Sequence, residues 1–201
     1  MRVVSIILFV LAGSSAFGQY YDKLYFLNWN INEPLTNKRF VGNTSTRGGR
    51  VGFQQMINEN FAAGLDFTWA SYDDYVGRQT YTSPTGALTT DFFKYVDTYG
   101  ATVAASYYFF TDQKFMPYVG AGVGASYNEY KLFYNVFSSS EGSWGLLLRP
   151  QAGAWYRLND RSSWALHGSV QFDFSTARNT DQGYKNFSNL GFQIGVVKLD
   201  W

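Results

Sequence analysis

The chain is predicted to be all-β: an eight-stranded antiparallel up-and-down transmembrane β-barrel. Three observations predict it. Apolar and polar residues alternate over eight segments of about ten to fifteen residues, the two-residue period of a strand with unlike faces. The connections between these segments switch regularly between tight turns and long polar loops. Aromatic residues make up 20% of the chain and recur near segment ends instead of clustering in one place.

The first segment is not a strand. In "MRVVSIILFVLAGSSAFG", Arg2 precedes an apolar run from Val3 to Ala12, and Ala16 and Gly18 stand where a signal peptidase reads small residues. This predicts a signal peptide over 1–18 and a barrel domain over 19–201, beginning at Gln19. The apolar run is too short for a spanning helix. The chain has no cysteine, hence no disulfide framework and no lipid-anchoring thiol. Without Arg2, 15 Lys+Arg face 15 Asp+Glu, so the exported chain is neutral and nothing points to nucleic acid. One histidine and no cysteine make a transition-metal site hard to assemble, and no cofactor is expected.

The strands follow in order. The first, Tyr20 to Ile31, sets Tyr25, Leu27 and Trp29 against Phe26, Asn28 and Asn30. The second, Arg47 to Ile57, sets Val51 and Phe53 against Arg50, Gly52 and Gln54; the third, Phe61 to Tyr72, sets Leu65, Phe67 and Trp69 against Gly64, Asp66 and Thr68. In the fourth, Tyr95 to Phe110, Tyr99, Val103 and Tyr107 oppose Gly100, Thr102, Ala104 and Ser106. In the fifth, Met116 to Tyr130, Val119, Val123 and Tyr127 oppose Gly120, Gly122 and Gly124. The sixth, Ser143 to Arg157, has Trp144, Leu146, Leu148 and Tyr156 facing away from Arg149, Gln151, Trp155 and Arg157. The seventh, Ser163 to Ser175, alternates almost without error: Trp164, Leu166, Val170, Phe172 and Phe174 against His167, Ser169, Gln171 and Asp173. The eighth, Asn186 to Trp201, starts with Phe192, Ile194 and Val196 as its apolar face but ends with Val197, Leu199 and Trp201. That parity change predicts a bulge or a shifted register near Val196.

Tight turns are expected at 58–60, 111–114 and 159–162. Long loops are expected at 32–46, 73–94, 135–142 and 177–185, all on the opposite rim. Charge decides which face meets what. Arg50, Asp66, Arg149, Arg157, His167, Asp173 and Lys198 all fall on the polar faces, while the apolar faces carry almost no charge in the strand centres. Trp164 and Phe174 lie ten residues apart on one face, and Trp144 and Tyr156 twelve; at about 3.3 Å per residue and a tilt near 40° these span roughly 25 to 30 Å. That is the height of a lipid-facing band between two aromatic girdles, so the apolar faces are predicted to meet hydrocarbon.

With its signal peptide, its eight alternating segments, the glycine-rich "MPYVGAGVGASY" of Met116 to Tyr127 and the ending "GVVKLDW", the chain resembles the small eight-stranded outer-membrane β-barrels. The resemblance covers the whole mature chain. It implies a monomer in the outer membrane of a Gram-negative bacterium, both termini periplasmic, among lipid and lipopolysaccharide. It also implies that Leu199 and Trp201 serve as an insertion signal for the barrel-assembly machinery.

The polar residues predict what fills the lumen. An eight-stranded barrel is just wide enough for side chains. Arg50, Gln54, Asp66, Arg149, Gln151, Arg157, His167, Gln171 and Asp173 are expected to form a hydrogen-bonded plug in which both signs of charge are paired. Recognition then falls to the exposed loops, above all 77–93, whose Thr, Ser, Gly, Tyr81, Phe92 and Phe93 suit a surface ligand. Two alternatives stand beside this. The small inward residues of the fourth and fifth strands would leave room for a narrow path for small or hydrophobic solutes, unless long side chains opposite fill it. His167 and Ser169, two apart on one strand face, resemble the His-x-Ser pair of outer-membrane lipid A deacylases, although Val170 follows where those enzymes carry asparagine.

Overall fold

The computed structural model describes residues 23–83, 86–111, 113–159, 162–180 and 183–200. The predicted signal peptide, the start of the first strand, Asp112, Asp160, Arg161 and Trp201 lie outside these residues. Eight strands form one closed antiparallel barrel in sequence order: β1 Lys23–Pro34, β2 Arg47–Met56, β3 Phe61–Ser83, β4 Gly86–Tyr108, β5 Phe115–Tyr134, β6 Phe137–Arg157, β7 Trp164–Ser175 and β8 Phe187–Asp200. Closure satisfies the backbone of every strand within the wall, the condition for β-structure in hydrocarbon. The ring closes where β1 meets β8, in an unbroken register from Lys23 opposite Asp200 to Pro34 opposite Asn189.

The faces are those the alternation predicts. Leu27, Leu65, Val103, Val123, Leu146, Leu166 and Ile194 point outward and are exposed, and Arg50, Asp66, Arg149, His167 and Asp173 point inward and are buried. Trp29, Trp69, Tyr99 and Trp144 stand exposed toward one rim, and Tyr25, Phe61, Tyr107, Tyr156 and Trp164 toward the other. Gly49 leaves room for the Trp69 ring, which lies where a side chain at 49 would have to stand. At the tight rim, the Asn58 side-chain oxygen accepts from the backbone N–H groups of Asn60 and Phe61 at 3.0 and 2.8 Å, which closes the β2–β3 turn.

Three expectations need correction. The predicted loops 73–94 and 135–142 are mostly strand: β3 and β4 are 23 residues each, and β5 and β6 continue to a turn at Asn135 and Val136. Their polar composition marks strands that stand in water above the bilayer and have no apolar face to show. The last strand has no bulge. Val197 and Leu199 point inward and are fully buried, and Lys198, expected among the inward charges, points outward with Asp200 because the apolar lid takes the inner face here. It is the inner face that turns apolar at this rim, so polarity swaps sides while the backbone register does not.

That apolar inner face is a lid. Leu24, Phe26, Tyr108, Met116, Tyr118, Trp155, Val197 and Leu199 pack together across the turn-side mouth. A second apolar cluster closes the other mouth, and the β1–β2 loop supplies its centre: Phe40 and Val41 drop between Tyr72, Val96, Tyr130 and Phe187. The loop is held there by Asn37, whose side-chain amide donates to the Tyr130 hydroxyl at 2.9 Å and to the Asn186 carbonyl at 2.8 Å. Asn37 adopts φ 58°, a left-handed turn that asparagine tolerates well. The lumen is therefore layered: apolar, polar, apolar.

Candidate functional site

The polar layer is built from the inward positions of β2, β3, β6, β7 and β8, where a closed wall brings residues far apart in sequence within hydrogen-bonding reach. Arg50 donates from Nη2 to Asp66 Oδ2 at 2.5 Å, and from Nη1 to Gln151 Oε1 at 2.8 Å and Gln193 Oε1 at 2.9 Å. Arg149 donates from Nε to Asp173 Oδ1 at 2.6 Å, and from Nη2 to Asp173 Oδ2 and Thr68 Oγ1 at 2.9 and 2.8 Å. Two glutamines link the pairs: Gln193 donates to Gln171 at 2.5 Å, and Gln171 donates to Asp173 at 3.3 Å. Both guanidinium groups are buried, and each faces a buried carboxylate. Leaving either partner alone in this setting would expose the other to the full desolvation penalty.

Of the nine residues predicted for this network, Arg50, Asp66, Arg149, Gln151, Gln171 and Asp173 meet within it. Gln54 sits one layer nearer the turns, accepting from the Tyr108 hydroxyl at 2.8 Å and donating to Ser106 at 3.1 Å. Arg157 does not join them. It lies at the turn-side rim and donates to the Gln113 carbonyl at 3.0 Å, because its place at the end of β6 is beyond the lid. Sequence reasoning missed Gln193 and Thr68. Their signal was present, since each is a polar residue on an inward position of an alternating strand.

His167 and Ser169 share a face but not a bond. His167 Nδ1 lies 2.8 Å from Asn28 Oδ1, and Nε2 lies 2.8 Å from the Tyr118 hydroxyl. A side-chain carbonyl oxygen only accepts, so Nδ1 carries the proton and Nε2 accepts from Tyr118. The Ser169 hydroxyl donates to Gln193 Oε1 at 2.8 Å. The imidazole is further fixed by the Tyr118 ring, stacked at 5.7 Å, and by Phe26 edge-on at 5.4 Å. A base with both nitrogens engaged and a serine turned to an amide is not an assembled nucleophilic pair.

The small residues Gly100 of β4 and Gly120 of β5 are covered by long side chains of β6. At Gly100, an added Cβ would come within 2.7 Å of Leu147 and 3.3 Å of Arg149 Nη2; at Gly120 it would come within 3.2 Å of Gln151 Nε2. The space beside the Arg149–Asp173 pair is a cavity of about 20 Å³ lined by Thr68, Ser126, Asn128 and Ser175 among others, room for about one water. Leu199 is buried in the turn-side lid, and Trp201 lies outside the described residues.

Comparison with known proteins agrees with this architecture. Residues 5–197 match the family described as outer membrane protein beta-barrel domain. No curated protein matches the chain in sequence. Among solved structures, the chain is similar to Neisserial surface protein A, with 18% identity and a TM-score of 0.54, over 88% of this chain and 96% of that one. It is also similar to Ail of Yersinia pestis, solved with the heparin analogue sucrose octasulfate, with 12% identity and a TM-score of 0.48, over 88% of this chain and 96% of that one. OprG of Pseudomonas aeruginosa shares 15% identity at a TM-score of 0.46, over 90% of this chain and 97% of that one. At these identities the likeness concerns the fold.

Proposed function

The chain belongs to the outer membrane protein beta-barrel domain family, and on that premise we propose that it is a sealed, non-catalytic barrel that works by surface recognition through the elements projecting from its long-loop rim. It resides in the outer membrane, among lipid and lipopolysaccharide. In this reading both termini are periplasmic, the tight turns face the periplasm, the barrel-assembly machinery inserts the chain by its last strand, and the protein acts as a monomer.

The observation that carries the reading is the three-layer lumen. A conducting path would have to pass the Phe40–Val41 lid, the Arg50–Asp66 and Arg149–Asp173 belt, and the Tyr108–Trp155 lid in turn. With the interior so filled, binding capacity lies in the two hairpins, β3–β4 and β5–β6, which rise past the girdle and carry exposed Tyr75, Tyr81, Phe93, Phe133 and Phe137. Planar-bilayer recording tests it: reconstituted protein is expected to show no reproducible unitary conductance. Steady single-channel steps would overturn the sealed reading.

A further inference from the structure

On the long-loop side the outer wall carries two aromatic rows where one bilayer interface explains one. Trp69, Tyr99 and Tyr127 stand side by side across β3, β4 and β5 as part of the girdle. Six residues further along each strand, Tyr75, Phe93 and Phe133 form a second row in the same register, and all three are exposed. Six residues at about 3.3 Å each and a tilt near 40° put that row roughly 15 Å above the girdle. No hydrocarbon reaches so far, and apolar rings grouped in water mark a binding surface.

Between the rows lies a charged band. Lys131 Nζ donates to Asp97 Oδ2 at 2.9 Å and lies 3.0 Å from Glu129 Oε2. A groove of about 570 Å³ opens over it, lined by Ser71, Phe93, Tyr95, Asp97, Lys131 and Phe133. Tyr95 and Phe133 meet edge-to-face at 5.8 Å, which fixes one wall. The groove thus offers ring faces beside a carboxylate that accepts hydroxyl protons and an ammonium that donates. Two carboxylates against one ammonium leave a surplus negative charge, which disfavours phosphate. An uncharged pyranose fits both halves, with its C–H face on the rings and its hydroxyls on Asp97 and Lys131.

The geometry points to a saccharide subsite that holds an uncharged sugar ring of the lipopolysaccharide core in the protein's own membrane. The source follows from height: the groove lies between the girdle and a ring row roughly 15 Å above it, within the sugar layer of the outer leaflet. The inference rests on the reading above that these hairpins face outward. In effect the wall takes hold of the sugar layer as well as the acyl layer.

Native mass spectrometry of the detergent-solubilised protein tests the site, with rough lipopolysaccharide carrying a complete core as probe and lipid A as control. The protein is expected to retain the former more tightly. Phe133→Ala and Asp97→Asn should each weaken that preference by about tenfold, the worth of one good stacking contact or charged hydrogen bond, while leaving lipid A retention unchanged. Retained heat-modifiable gel migration shows that both variants fold. Equal retention of the two lipids, or variants indistinguishable from the parent, overturns the subsite, as does binding of a soluble neutral oligosaccharide in preference to the core. Orientation is read separately, by labelling Thr82→Cys on intact cells, which is clean because the chain has no other cysteine. A labelled tip with no core preference overturns the subsite alone; an unlabelled tip overturns the outward reading beneath it.

Discussion

Arg149 grips Asp173 through two parallel hydrogen bonds, at 2.6 and 2.9 Å, in the middle of a barrel whose outer surface is apolar at the same height. Removing one partner leaves the other buried and charged. Asp173→Asn is expected to destabilise the barrel by about 3–5 kcal/mol, whereas the paired change Arg149→Met with Asp173→Leu is expected to cost much less. Equilibrium urea unfolding in lipid vesicles, followed by tryptophan fluorescence, checks both, and equal losses in the two would count against a paired buried charge.

Two lids in series predict how conduction could be created. Phe40→Ser opens only the outer one, so it should remain silent in bilayer recordings. Combined with Trp155→Ala, which thins the inner lid under Tyr108 where the two rings meet edge-on at 5.0 Å, it should still be silent, because the Arg50–Asp66 and Arg149–Asp173 belt remains; conductance is expected only when that belt is thinned as well. If Phe40→Ser alone conducts, the inner lid is not a barrier.

The lipid-facing surface is tested at its centre. Leu65 lies midway between Phe61 and Trp69 and is 62% exposed. Leu65→Arg is expected to destabilise the vesicle-embedded protein by about 2–4 kcal/mol, the midplane cost for a cation on a barrel wall. A stability unchanged in vesicles would mean that this face does not meet hydrocarbon.

His167 is expected to be structural. His167→Ala removes two buried hydrogen bonds and should lower stability by about 1–3 kcal/mol, with no change in the acylation state of lipid A in cells that express it. A change in lipid A acylation that depended on both His167 and Ser169 would restore the hydrolase reading.

The outer lid should loosen in acid. A hydrogen bond from Thr44, and then one from Lys38, hold the Glu33 carboxyl below the usual glutamate range. A depressed folded-state value means that the contribution is present above the unfolded-state pKa and is lost as pH falls through the lower, folded one. Hydrogen exchange at 38–44, corrected for intrinsic rates, should therefore speed up as pH falls below the ordinary glutamate range. Glu33→Gln should remove that dependence; an unchanged acid response in the variant would assign it elsewhere.

The eight strands were legible because a wall with lipid outside and polar side chains inside writes its period directly into the sequence. Leu27, Leu65 and Ile194 outside, with Arg50, Asp66 and Gln171 inside, obey it. The lids were not legible for the same reason. Leu24, Phe26, Val197 and Leu199 are apolar on an inward face, and alternation reports polarity, not direction, so the last strand read as a slipped register. The hairpins were hidden because above the bilayer both faces of a strand meet water, and "VGRQTYTSPTGALTTDF" then has no contrast to show. Phe40 and Val41 were two apolar residues in a polar loop; only the fold reveals that they turn inward.

The seam between β1 and β8 joins the first described strand to the last over twelve paired positions. A chain stopped anywhere before β8 would present two raw edges of unpaired amides and carbonyls to oil, a penalty no side chain could relieve. The barrel therefore cannot be completed piecemeal: its final fourteen-residue strand is the zip, and the other seven become compatible with hydrocarbon only when it engages the first one.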